Sequence, residues 1–75
     1  MRIRVVDMNA MHRLRTEVFH ASQQEMARIA GVNQSTISKW ESGAQIPLST
    51  ALGKIRDYAK RRYPKWQDSW LFEGP

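Results

Sequence analysis

The stretch SQQEMARIAGVNQSTISKWESG, Ser22 to Gly43, decides how this chain is read. Ser22 followed three residues later by Glu25 is a capping box, in which the hydroxyl meets an orphan amide and the glutamate reaches back. It predicts a helix over residues 23–30. Gly31 ends that helix, because glycine enters the left-handed conformation without a steric penalty. Asn33 caps a second helix over 34–42, which stops at Gly43. Two short helices joined by so tight a turn pack at a steep angle only if their crossing is small, and Ala27 is the small residue there. Val32 plugs the space beneath the turn, and Met26, Ala30, Ile37 and Trp40 give apolar contacts under both helices. Gln34, Ser35, Thr36, Ser38 and Lys39 remain for an outer face.

Upstream, Asn9 is placed to cap a helix carrying AMHRLRTEVF, with Met11, Leu14, Val18 and Phe19 on its inner side. RIRVV, Arg2 to Val6, alternates basic and apolar residues and suits a short half-buried strand. Downstream, Pro47 closes the loop GAQIP. Ser49 is placed to cap a fourth helix through Arg62, with Leu48, Leu52, Ile55 and Ala59 inward, and Pro64 blocks its continuation. The tail KWQDSWLFEGP gathers Trp66, Trp70, Leu71 and Phe72. These either close the core or form a dimer interface, since large aromatics serve both. The expected organisation is one mostly helical domain: an arm or strand at 1–8, a helical core at 9–62, and an extended aromatic tail at 63–75.

A chain of 75 residues suffices for one small domain. Twelve Lys and Arg against seven Asp and Glu leave a net charge of +5, which favours a polyanionic partner. With no cysteine there is neither disulfide nor thiolate metal site. His12 and His20 lack a ligand set, and neither a metal nor a cofactor is expected. No apolar run reaches membrane length and no signal-peptide anatomy is seen, so a cytoplasmic protein without a membrane partner is expected. No spacing sets a nucleophile beside a base, and the acids are scattered, so no enzyme is expected.

The outer face of the second helix is short, polar and rich in amides and hydroxyls. Glutamine can bond bidentately to adenine in the major groove, and serine or threonine can serve bases or phosphates. The major groove admits one α-helix. At SQQEMA, GVNQSTIS, WESG and Pro47, the chain resembles the helix-turn-helix of the phage Cro and repressor family, the XRE family. That resemblance implies a small lambda-repressor-like helical bundle of about five helices that binds operator DNA as a dimer. It also implies that Gln23 contacts a phosphate and braces Gln34, the candidate for adenine readout. Ser35 and Ser38 would reach base edges or phosphates, Thr36 the groove wall, and Lys39 and the ESGAQ loop, with Gln45, the backbone. Ser22 and Asn33 join the DNA-facing set beside their capping roles. Glu41 matches a family acid that pairs with a first-helix arginine, here Arg13 or Arg15. The family's fifth helix is not visible in the sequence, where the aromatic tail takes its place.

Lys60, Arg61 and Arg62 are either further phosphate contacts or a solvated helix face. The expected function is a sequence-specific transcription regulator, a dimeric autorepressor on a short palindromic operator. With no room for an effector domain, its own concentration would control it, and no small-molecule ligand is evident. The alternative is an interaction module that keeps the fold without reading DNA. The positive balance and the amide-hydroxyl face weigh against it.

Overall fold

A computed structural model describes residues 10–75 of the chain. The strand expected at Arg2 to Val6 and the Asn9 cap lie outside the described residues. Helix α1 (Ala10–Arg13) runs directly into a π-helical turn, Leu14–Val18. Then come α2 (Gln23–Ala30), α3 (Gln34–Ser42), α4 (Ser49–Arg62) and a short α5 (Trp70–Glu73). The described residues form a helical bundle without a strand.

The core is built from one face of each helix. Leu14, Met26, Ile37 and Ile55 are its fully enclosed centre, with Met11, Ala27, Ala30, Trp40, Ala51, Ala59 and Leu71 around them. Small Ala51 and Ala59 flank Ile55 on α4's inner side, and α2 packs on it. The inward stripe of the first helix is the expected one, but its last two members are buried unequally. Phe19 is buried while Val18 is only half-buried. The π turn is the cause: the Phe19 amide bonds to the Leu14 carbonyl, five residues back, at 3.1 Å. This widened turn moves the inward position after Leu14 on by one residue. Phe19 then stacks on Tyr63 with ring centroids 5.4 Å apart and meets Tyr58 edge-on at 5.3 Å.

Two expectations for α4 fail. Ser49 is its first helical residue rather than its cap, and Leu48 occupies the cap position with extended backbone and no capping side chain. Leu48 is also 69% exposed and does not face inward. Its carbonyl already accepts the Leu52 amide at 3.0 Å, so the helix begins one residue earlier than a Ser49 cap requires. The tail is not extended. After Pro64 it folds through turns into α5, whose Leu71 enters the core, and this supplies a fifth helix.

Candidate nucleic-acid interface

The α2–turn–α3 unit forms from local bonds. Ser22 Oγ accepts the Glu25 amide at 3.0 Å and Glu25 Oε1 accepts the Ser22 amide at 2.8 Å, which completes the capping box. Gly31 turns the chain at φ 75°. A Cβ on Gly31 would lie 2.7 Å from Lys54 Nζ, because the Lys54 side chain of α4 lies across the turn. Ala27 is buried in the crossing and Ile37 and Trp40 hold α3 down.

Asn33 caps α3 and organises its first turn. Its Oδ1 accepts from the Thr36 amide (3.1 Å), the Thr36 hydroxyl (2.9 Å) and the Ser35 hydroxyl (2.8 Å). Both hydroxyl protons are therefore engaged inward, and the oxygens of Ser35 and Thr36 are left as acceptors toward solvent. Thr36 is half-buried, whereas Asn33, Gln34, Ser35, Ser38 and Lys39 are exposed. Gln23, Gln34, Ser35, Ser38 and Lys39 together line one shallow depression on the surface. Five of the residues expected from the sequence thus converge.

Behind that row stands Glu41, whose side chain is only 9% exposed. Arg15 holds it bidentately, Nε to Oε2 at 2.6 Å and Nη2 to Oε1 at 3.1 Å. The expected arginine is therefore Arg15, while Arg13 reaches the Pro75 carbonyl at 2.7 Å and Glu17 at 3.6 Å. Burial opposes the ionisation of Glu41. Hydrogen bonds from Arg15, His12 and Gln23, with the guanidinium charge, outweigh it and hold the carboxyl below its ordinary pKa.

A carboxylate only accepts, so it fixes how the Gln23 amide is turned. Gln23 Nε2 donates to Glu41 Oε1 at 3.2 Å, which points Gln23 Oε1 toward Gln34. Gln34 Nε2 donates to that oxygen at 3.4 Å. The Gln34 carbonyl and its second N–H remain open to solvent, the acceptor and donor pair that adenine N6 and N7 require. The bracing of Gln34 by Gln23 is thus present in the free protein.

A helix-turn-helix family model matches residues 21–60. The chain belongs to that family. It is an XRE-type helix-turn-helix protein of the Cro and repressor kind, a DNA-binding regulator. No curated protein and no solved structure gave a significant match to the chain.

Other expected residues of this XRE-type protein lie apart from the Gln34 row. Gln45 follows α3 and bonds back through its amide to the Lys39 carbonyl at 3.2 Å. Lys60, Arg61 and Arg62 are exposed at the far end of α4, with Arg62 over the Tyr58 ring at 4.8 Å. In the tail, Leu71 is buried and Trp66 and Trp70 pack half-buried against the core, so only Phe72, 64% exposed, presents a free apolar side chain. Among the described residues, no helix is long and apolar enough to cross a membrane. Two participants went unread in the sequence. His12 Nδ1 lies 3.1 Å from Glu41 Oε1 and 3.3 Å from Arg15 Nη2. Its spacing of three from Arg15 on a helix was the available signal. Lys54 was legible only as part of the basic run of α4, because tertiary folding alone brings it over the turn.

Proposed function

We propose that this chain is a sequence-specific repressor that binds a short palindromic operator as a dimer, α3 entering the major groove. The observation that carries this reading is the linked series Glu41, Gln23, Gln34, which fixes the amide of the recognition glutamine before DNA arrives. Preorganisation of this kind reduces the ordering cost of binding. Gln34 reads adenine, Ser35 and Ser38 accept from base donors, and Lys39, Gln23, Asn33 and Ser22 meet the backbone around them. Thr36 lies at the groove wall, and Gln45, Lys60, Arg61 and Arg62 add phosphate contacts. A symmetric pair would set its two α3 helices about 34 Å apart in successive major grooves. Exposed apolar Phe72 supports a self-association surface at the tail. Repression is then steric occupation of promoter DNA, in the cytoplasm, and involves no catalysis.

The test is selection of binders from randomised duplex DNA at physiological salt, with the Gln34→Ala variant in parallel. A two-fold symmetric consensus that relaxes at an adenine in the variant is expected. Salt-sensitive retention with no consensus would overturn the sequence-specific reading and leave a basic surface that coats DNA. Absence of retention would favour the interaction module.

A further inference from the structure

The enclosed carboxylate behind the Gln34 row has one side open to solvent. The side chains of Glu41 and Arg15 are 9% and 12% exposed, but that of His12, which reaches the same oxygen, is 49% exposed. Three donors crowd onto Glu41 Oε1: Arg15 Nη2 and His12 Nδ1, each at 3.1 Å, and Gln23 Nε2 at 3.2 Å. A carboxylate oxygen offers two lone-pair sites, so three donors share it imperfectly. His12 Nδ1 also lies 3.3 Å from Arg15 Nη2. The charged groups that face the ring are thus Arg15, from its own helical segment, and Glu41, from α3, while α2 presents neutral Gln23 at the shared oxygen. Among the described residues, no carboxylate of α5 pairs with His12.

The two contacts of Nδ1 exclude one another. A carboxylate only accepts and a guanidinium only donates, so Nδ1 serves Glu41 with a proton or Arg15 with a lone pair. A neutral ring can take either form. An imidazolium carries N–H on both nitrogens and can only donate, so protonation commits Nδ1 to Oε1. Arg15 stays charged, and Glu41 is held below its ordinary pKa, which keeps it a carboxylate. Histidine is the side chain that changes charge between about pH 5 and 8, and this one is open to solvent. With two cationic donors on Oε1, the longest and only uncharged one, from Gln23, is the one displaced. Gln23 Oε1 then loses its fixed direction, and the Gln34 amide bonded to it at 3.4 Å loses its brace.

We infer that His12 is a positioning residue for Gln34, and that its proton sets how strictly the chain discriminates between DNA sequences. The inference rests on the reading of Gln34 as the adenine contact. Acid relaxes base selection without weakening the hold on DNA in general, since an imidazolium adds positive charge to a chain that already carries +5. Selection and general affinity therefore part on acidification, and their separation is the mark of a proton acting through Glu41 and Gln23.

The first arm of the experiment uses the full ¹⁵N-labelled chain without DNA. The side-chain amide signals of Gln23 and Gln34, assigned by Gln23→Ala and Gln34→Ala, are followed between about pH 8 and about pH 5.5 beside the ring nitrogens of His12. Both amides should move along the ring's own titration curve in the wild type and hold still in His12→Gln, which retains His20. The second arm measures the ratio of affinities for the selected operator and an unrelated duplex at the two pH values and constant salt. That ratio should fall about fivefold or more on acidification, with no fall in affinity for the unrelated duplex, and its pH dependence should be absent in His12→Gln. Glutamine signals that ignore pH, glutamine signals that move equally in His12→Gln, or a ratio that is flat with pH in the wild type would overturn the inference. His12 is exposed, so its replacement leaves the fold intact. Absence of any consensus would refute the adenine reading, whereas the first arm, which needs no operator, tests the hold of His12 on Gln34 by itself.

Discussion

Replacing Glu41 by Gln keeps the shape of the side chain and removes its charge. Arg15, 12% exposed, loses a bidentate carboxylate but keeps the Ala21 carbonyl at 2.9 Å. Breaking a buried ion pair from one side costs about 3–5 kcal/mol, and a hydrogen bond to a charged group is worth about 1.5–3 kcal/mol. Because the glutamine oxygen still serves Arg15 and burial is incomplete, the expected loss is about 2–3 kcal/mol. At about 4–8 °C per kcal/mol for a domain of this size, Tm should fall by roughly 10–20 °C. That is a large share of a total near 4–11 kcal/mol, at roughly 0.05–0.15 kcal/mol per residue. The readout is thermal unfolding by circular dichroism, repeated against pH. Glu41 has a lowered pKa in the folded state. Its contribution is therefore complete above the unfolded carboxyl value and is lost as pH falls through the folded one. The wild-type curve should drop in that acid window, and the Gln variant should lack this part of the drop. A Tm change under about 2 °C at neutral pH, or an identical acid drop in both proteins, would refute the account of the network.

Two further outcomes follow from backbone and core. Gly31→Ala should cost about 1–2 kcal/mol in denaturant unfolding, mostly from a non-glycine residue at positive φ, since the flexible end of Lys54 can move aside. Phe19→Ala should cost about 3–5 kcal/mol and Val18→Ala no more than about 1.5 kcal/mol. Equal losses at the two positions would contradict the π-turn register.

How much could be read in advance divides along the range of the interactions. Both helix starts of the motif, at Ser22 and Asn33, and both glycine stops, at Gly31 and Gly43, stand where the sequence put them. Each rests on bonds between residues a few positions apart, so their spacing was enough. In the first helix the inner side was legible but not the deeper burial of Phe19 over Val18, because helical spacing assumes 3.6 residues per turn and the widened turn breaks that count. Leu48 was placed inside on the same assumption carried past a helix boundary. The tail's hydrophobicity was evident, but its turn into α5 depends on Leu71 finding the core. Gln34 and its exposed neighbours were legible as a face. The choice of Arg15 over Arg13 was not, because either could point at α3 until the turn of α1 was known.

The family match begins at residue 21, so the motif alone omits α1 and with it Arg15 and His12. Yet the orientation of Gln23 depends on them. Without Arg15, a carboxylate as enclosed as Glu41 would tend toward its neutral form, and a protonated carboxyl could donate as well as accept. The Gln23 amide could then turn over and offer an N–H to Gln34, which already presents one. The Gln34 carbonyl would be drawn inward, and the adenine readout proposed for it would lose its acceptor. Stability and readout are therefore joined at Glu41 and part at Gln23, which contributes one long hydrogen bond to the fold but fixes the direction of the next amide. A helix outside the motif thus determines which way the Gln34 amide faces.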